Sequence, residues 1–343
     1  MPKTTIFSIA KKTGFSASTI SRVLSGQGEK YRISESTIAK IKEEAKLCNY
    51  TPSLLARSLR IKKTNTIGLV LPSIDNPFFA NIASIITKEA KSKGYTIILS
   101  DTLEDENSEE ECIESLTSRN IDGAIIISCR EKSDLLESVS KQRMPIVLID
   151  RYFKETSLPY VSTDNYFGAT LATNYLIENG HKNIACIQGN PSTMPVKRRV
   201  EGYKDCMKKH NLSDFIFISG NSFSIENGYI ETLNLLNKKE RPTAIFTLSN
   251  TITLGAYKAI KESGLKIPSD ISIICFDNHL YLDYIEPTVT RIAQPIDEMG
   301  VLATKILLEK IDKKNFPEDE STYQLLLAPT LIMGKSVLNK NTH

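Results

Sequence analysis

Hydrogen-bonding side chains crowd one short segment of this 343-residue chain. Ser16, Ala17, Ser18, Thr19, Ser21 and Arg22 offer four hydroxyls, one methyl and a guanidinium. A helix that reads the DNA major groove needs small polar residues near its N-terminus and an Arg able to bridge guanine O6 and N7. The elements that must position these groups are legible around them. Ile6, Ile9 and Ala10 recur at helical spacing, Gly14 breaks the pattern, and Ser16 can cap a second helix over 17–24. That helix turns Ile20, Val23 and Leu24 inward and the polar set outward. The spacing alone also fits an ordinary two-helix corner.

Charge separates the two readings. Residues 1–63 hold 13 Lys and Arg against 4 Asp and Glu, a net of +9, and the remainder carries a net of −6. A basic head on an acidic body is the footprint of a chain that neutralises phosphates at one end only. A merely solvated basic face is disfavoured because the charge coincides with the helix-turn-helix.

A second polar set follows apolar strand-like runs. Those runs are 67–71, 96–100, 123–127, 145–149, 183–187, 244–248 and 271–275, with helical runs over 78–93, 109–119, 165–179, 196–209, 226–237 and 251–263. Gly94, Gly180 and Gly264 stand where helices should end. Such alternation implies an α/β fold with right-handed crossovers and parallel sheets, and ligands of such sheets sit beyond the carboxyl ends of the strands. The segments after those ends carry Asp75, Asn76, Phe78 and Phe79, then Asp150 and Arg151, then Thr193, Phe223, Asn250 and Asp277. Carboxylates, amides and aromatic faces together suit a sugar, whose hydroxyls need directed partners and whose C–H face stacks on a ring. Taken singly, each Asp could be a helix cap, and Phe78 and Phe79 could be core.

Between head and body lies NYTPSLLARSLRIKKTNTI, residues 49–67. Pro52 stops a helix over 34–47, and Ser53 can cap a short one carrying Leu54, Leu55, Ala56, Arg57, Leu59 and Arg60. About eight residues cannot hold a helix alone in water, where ~12–15 are marginal. Together, residues 20–24, NYTPSLLARSLR and TNTIGLVLPSIDNPFF resemble the lactose-repressor/galactose-repressor (LacI/GalR) family of bacterial transcription regulators over essentially the whole chain.

The resemblance implies a helix-turn-helix DNA-binding domain over 1–52, a hinge helix and linker over 53–63, and a periplasmic-binding-protein-like effector and dimerisation core over 64–343. Two doubly wound parallel-sheet subdomains would make up that core, about 64–163 with 292–323 and about 164–291 with 324–343, the chain crossing near 163, 291 and 324. It implies DNA contacts from residues 16–19, Ser21, Arg22, Tyr31, Ala56, Arg57 and Leu59, with Leu59 as a minor-groove wedge. It adds Arg199, which precedes VEGY as a pocket arginine does in the family, and Gln294 near a crossover. The implied partners are pseudo-palindromic operator DNA, a second copy of the chain and a small-molecule effector, most simply a sugar; a purine, a nucleoside or a protein partner is the alternative. Three departures bear on specificity: Asn250-Thr251 where Asn-Asp is usual, Cys275 where Gly is usual, and a longer turn, GQGEKYRIS, whose Lys30, Tyr31 and Arg32 fit either an added phosphate contact or a longer solvated loop.

No apolar leader or 18-residue apolar run is present, so a cytoplasmic protein without membrane contact is expected. Six cysteines (48, 112, 129, 186, 206, 275) lack metal-ligand spacing, and neither metal nor cofactor is expected. An enzyme is disfavoured: GxSxG, HExxH and a P-loop are all missing, and the GKS at 334–336 has Pro329 where the first P-loop glycine should stand. His181 reads as a cap rather than a base.

Overall fold

In the computed structural model, Thr5 opens the first helix, α1 (Ile6–Thr13), and forms a capping box with Ser8. Gly14 ends it at φ 76°, a left-handed conformation that costs glycine little. Ser16 accepts the Thr19 amide and starts α2 (Ala17–Leu24), as Ser34 does through Thr37 for α3 (Glu35–Leu47). Ile9, Ile20, Val23, Ile41 and Ala45 bury one another between the three helices. Leu24 is half-buried at the edge.

The structure describes residues 5–48, 50, 63–312 and 320–342, in two units, Met1–Thr64 and Asn65–His343. The hinge expected over 53–63, with Ala56, Arg57 and Leu59, lies outside the described residues except at Lys63.

The second unit builds one pattern twice. Its first sheet contains β1 (Thr66–Leu71), β2 (Thr96–Asp101), β3 (Gly123–Ile126), β4 (Ile146–Ile149), β5 (Tyr160–Thr163) and β11 (Gln324–Leu327), in the order β11-β5-β4-β3-β1-β2. Its second sheet contains β6 (Ile184–Ile187), β7 (Phe217–Ser219), β8 (Ala244–Thr247), β9 (Ser272–Phe276), β10 (Thr290–Ala293) and β12 (Thr330–Ile332), in the order β12-β10-β9-β8-β6-β7. All pairings are parallel except β10 with β12. Strands covered on both faces need apolar side chains on both, which is why the central runs read as unbroken Ile, Val, Leu and Ala. In the first sheet, α4 (Pro77–Ser92) and α11 (Ile296–Asp312) cover one face, α5 (Glu106–Ser118) and α6 (Asp134–Gln142) the other. In the second, α7 (Asn165–Glu178) and α8 (Met194–Lys209) oppose α9 (Ile225–Leu236) and α10 (Asn250–Glu262). Gly94, Gly180 and Gly264 follow α4, α7 and α10 at positive φ.

Two crossings differ from the expected subdomain limits. β10 pairs with β9, so Ile292 and Ala293 belong to the second sheet. β11 pairs with β5, so residues 324–327 belong to the first sheet and the last crossing falls between β11 and β12. The strands β5, β7, β10, β11 and β12, and the helices α6 and α11, add to the runs read from sequence. β5 and β10 carry Ser162, Thr163, Thr290 and Arg291, all buried and all satisfied by hydrogen bonds from outside their own strands. Polar strands of this kind are hidden from a search for apolar runs.

Candidate functional site

The first unit presents the outer face of α2. Ser18 and Arg22 are exposed, whereas Ala17, Thr19 and Ser21 are half-buried. The Ser16 hydroxyl lies 2.8 Å from that of Ser18 and 2.9 Å from that of Thr19, while also capping α2. Arg22 stacks 4.1 Å above the ring of Tyr31, which the 3-10 turn Glu29–Tyr31 holds beside the helix. A cation over an aromatic face gains ~0.5–1 kcal/mol when exposed, and the guanidinium loses rotamers before it meets a partner. The longer turn thus packs an aromatic ring against this arginine.

In the second unit, the strand ends of both sheets converge on one tight cleft whose cavity volume is about 20 Å³. Phe78, Phe79, Asp150, Arg151, Thr193, Arg199, Phe223, Asp277 and Gln294 line it, as expected, and Asn76, Pro195 and Ser249 join them. Asp75 does not line the cleft; it is exposed and bonded to the Ser73 hydroxyl. Asn76 takes the inward place while its side chain caps α4 through the Phe78 amide at 3.0 Å. Asn250 is buried beside the cleft rather than on its wall, and its backbone N–H donates to Asp277 at 3.4 Å. Phe78 and Phe79 are both wall and core, their rings meeting edge to face 5.4 Å apart.

The two aspartates are equivalents in the repeated pattern. Asp150 follows β4, Asp277 follows β9, and these strands hold the same place in their sheets. Both adopt positive φ, 63° and 101°, a backbone cost that non-glycine residues bear mainly at functional sites. Burial lifts the Asp150 carboxyl to about 6, against the pull of Arg199 and Arg151. Burial also raises Asp277, opposed by Arg199 and by hydrogen bonds from Gln294 and the Asn250 amide. Arg199 donates to Asn165 at 2.7 Å and to the Leu248 carbonyl at 2.8 Å, over the Phe276 ring at 3.7 Å. Thr163, in the first sheet, donates to Gln294, which donates to Asp277; this chain ties the two halves together. Asp150 Oδ1 and both side-chain heteroatoms of Asn250 are buried with no hydrogen-bond partner among the described residues.

The sequence departures acquire physical roles. Thr251 donates to the Phe223 carbonyl and pins that aromatic against the cleft. Cys275 is fully buried, and burial pushes its thiol up. Other conspicuous residues are structural. His181 is held between Thr243 and the Leu338 carbonyl, where burial lowers it to about 4 and keeps it neutral. Ser336 donates to the Ile273 carbonyl within the second sheet. Among the described residues no cluster of His, Cys, Asp and Glu could hold a metal, and no helix is long and apolar enough to cross a membrane.

Comparison with known proteins extends these geometric findings. Residues 64–329 match the family described as periplasmic binding proteins and sugar binding domain of LacI family. The ribose operon repressor of Haemophilus influenzae is 32% identical over 97% of this chain and 98% of its own length. The structure of a lac repressor dimer bound to operator and the anti-inducer ONPF superposes with a TM-score of 0.88 at 23% identity, over 98% of this chain and 99% of that one, a likeness of fold. A LacI-family regulator from Enterococcus faecium with bound ribose shares 30% identity and a TM-score of 0.71 over 80% of this chain and 99% of its own.

Proposed function

Since the chain belongs to the LacI family and is a ligand-responsive transcriptional repressor rather than an enzyme, we propose that its cleft binds a sugar and that its α2 face reads operator DNA. The observation that carries this reading is the buried Asp150 Oδ1 without a protein partner, set between aromatic walls and opposite Asp277. Leaving a buried acceptor unpaired costs ~1–3 kcal/mol, and a ligand hydroxyl removes that cost. Phe78, Phe79 and Phe223 offer faces for the C–H side of a ring. Arg199, Gln294 and Thr193 supply directed hydrogen bonds, and the ribose bound in the E. faecium relative fits the same chemistry.

Control follows from the repeated architecture. A ligand bridging Asp150 on one half and Asp277 on the other favours the closed arrangement of the two halves over any open one, by its differential contacts. The chain acts as a homodimer, as the lac repressor structure is a dimer on operator. Two α2 helices then read half-sites about 34–36 Å apart. Arg22 makes the principal base contact. Thermal denaturation of the full chain against mono- and disaccharides tests the sugar, because a ligand raises stability by RT ln(1 + [L]/Kd). A panel in which no sugar shifts the melting temperature refutes this reading of the cleft.

A further inference from the structure

The two cations of the cleft are already engaged by the protein, whereas one carboxylate oxygen, Asp150 Oδ1, is buried without a partner among the described residues. Arg151 is gripped from behind: Glu104 accepts from Nη1 at 2.8 Å and from Nη2 at 2.7 Å. Arg199 is committed to Asn165, the Leu248 carbonyl and the Phe276 ring. Among the described residues, Asp150 keeps Oδ1 unpaired, and Asp277 accepts from Gln294 and weakly from the Asn250 amide. Glu104 is not on the cleft wall. It stands in the loop after β2, where Leu103 and Glu104 both take left-handed backbone, φ 54° and 58°. Asp101 and the Pro72 carbonyl hold that loop by accepting the Leu103 and Glu104 amides at 3.1 and 2.8 Å. Two successive non-glycine residues in this region are strained, and here the strained turn aims a carboxylate at an arginine fork.

Resting on the reading of the cleft as an effector site, we propose that Glu104 makes it selective for a neutral, hydroxyl-rich effector and excludes phosphorylated or carboxylated ones. A planar guanidinium recognises phosphate or carboxylate by two parallel N–H donors, and Glu104 occupies that fork as an anionic ligand would. An entering anion finds Nη1 and Nη2 of Arg151 already taken and stands among three carboxylates facing two guanidiniums. A hydroxyl meets no such opposition and satisfies Asp150. Glu104 is therefore a specificity-determining residue that acts through Arg151. Its side chain is 37% exposed, so its replacement opens no cavity in the apolar core.

Calorimetric titration of the full chain tests this, using D-ribose, D-glucose, ribose 5-phosphate, glucose 6-phosphate and inorganic phosphate on the natural protein and on Glu104→Gln. The unliganded melting temperature and DNA binding report that the variant folds. The natural protein is expected to bind a neutral sugar and none of the three anions. Glu104→Gln removes the opposing charge and one of the two acceptors on the fork and should gain anion affinity about tenfold or more, the scale of one charge-assisted hydrogen bond. A natural protein that binds a sugar phosphate as tightly as the free sugar overturns the proposal, as does a folded Glu104→Gln that ignores all three anions. If no neutral sugar binds, the sugar reading fails by itself, and anion uptake by Glu104→Gln still supports the clamp.

Discussion

The buried aspartate pair makes effector affinity depend on pH with a definite sign. Asp150 titrates at about 6 in the folded protein because burial outweighs Arg199 and Arg151, against 3.8 for the free side chain. That displacement corresponds to about 3 kcal/mol held against the ionised form. Because the folded value is the higher one, Asp150 imposes no penalty on the unliganded protein below pH 3.8; the penalty grows between pH 3.8 and about 6 and is complete above that. A ligand hydroxyl donating to Asp150 stabilises the ionised form and relieves the penalty, so binding releases a proton near and below pH 6. Affinity should be level above pH 7 and fall about tenfold by pH 5, since a carboxyl titrating at 6 is then mostly protonated. Asp150→Asn should bind more weakly at pH 7.5 and lose most of the slope, leaving only what Asp277 contributes. Calorimetry in two buffers of different ionisation enthalpy at pH 6 measures the proton release directly. An affinity level from pH 7.5 to 5, or an equal slope in Asp150→Asn, refutes the assignment of Asp150 as a hydroxyl acceptor.

Three further substitutions probe other parts of the account. Arg22→Ala should cost ~1–3 kcal/mol of operator preference while leaving most salt-sensitive non-specific binding; equal weakening on operator and random DNA in a gel-shift titration would mark Arg22 as a backbone contact. Asp277→Ala or Arg199→Ala should reduce effector affinity at least about tenfold, with operator affinity nearly unchanged, and undiminished calorimetric binding would make these residues structural. Gly255→Ala places a methyl 2.0 Å from the Ile225 carbonyl oxygen, where α9 and α10 cross backbone to backbone. That helix pair must part, and denaturant unfolding should show a loss of ~1–3 kcal/mol or more; an unchanged midpoint would mean the crossing is looser than it is drawn here.

How legible the fold was depends on how local its signals are. α2 matches the sequence reading of 17–24 residue for residue, and α1 stops at Gly14 as its spacing implies, because Ser16 and Gly14 act on their own neighbours. The central strands were equally plain, being apolar runs. β5 and β10 were not, since Ser162, Thr163 and Arg291 are tolerated only through partners remote in sequence, such as Gln294 for Thr163 and Asn278 for Arg291. The same holds in the cleft. Strand-end position located most of its wall, but Asp75 and Asn76 are adjacent, and only the cap on α4 decides which turns inward. That signal was present as Asn-Pro at a helix start. Glu104 had none, because its meaning lies in a partner 47 residues away.

The central claim is that occupancy of the cleft sets the affinity of the α2 face for operator DNA. The direct measurement is fluorescence anisotropy of the full chain on a labelled duplex containing its own operator, titrated with and without the sugar that stabilises the protein thermally. The account predicts that the sugar changes operator affinity about 5- to 150-fold, the scale of a ~1–3 kcal/mol coupling, leaves random DNA unaffected, and loses this effect in Asp277→Ala. A sugar that binds the cleft and leaves operator affinity unchanged would contradict it.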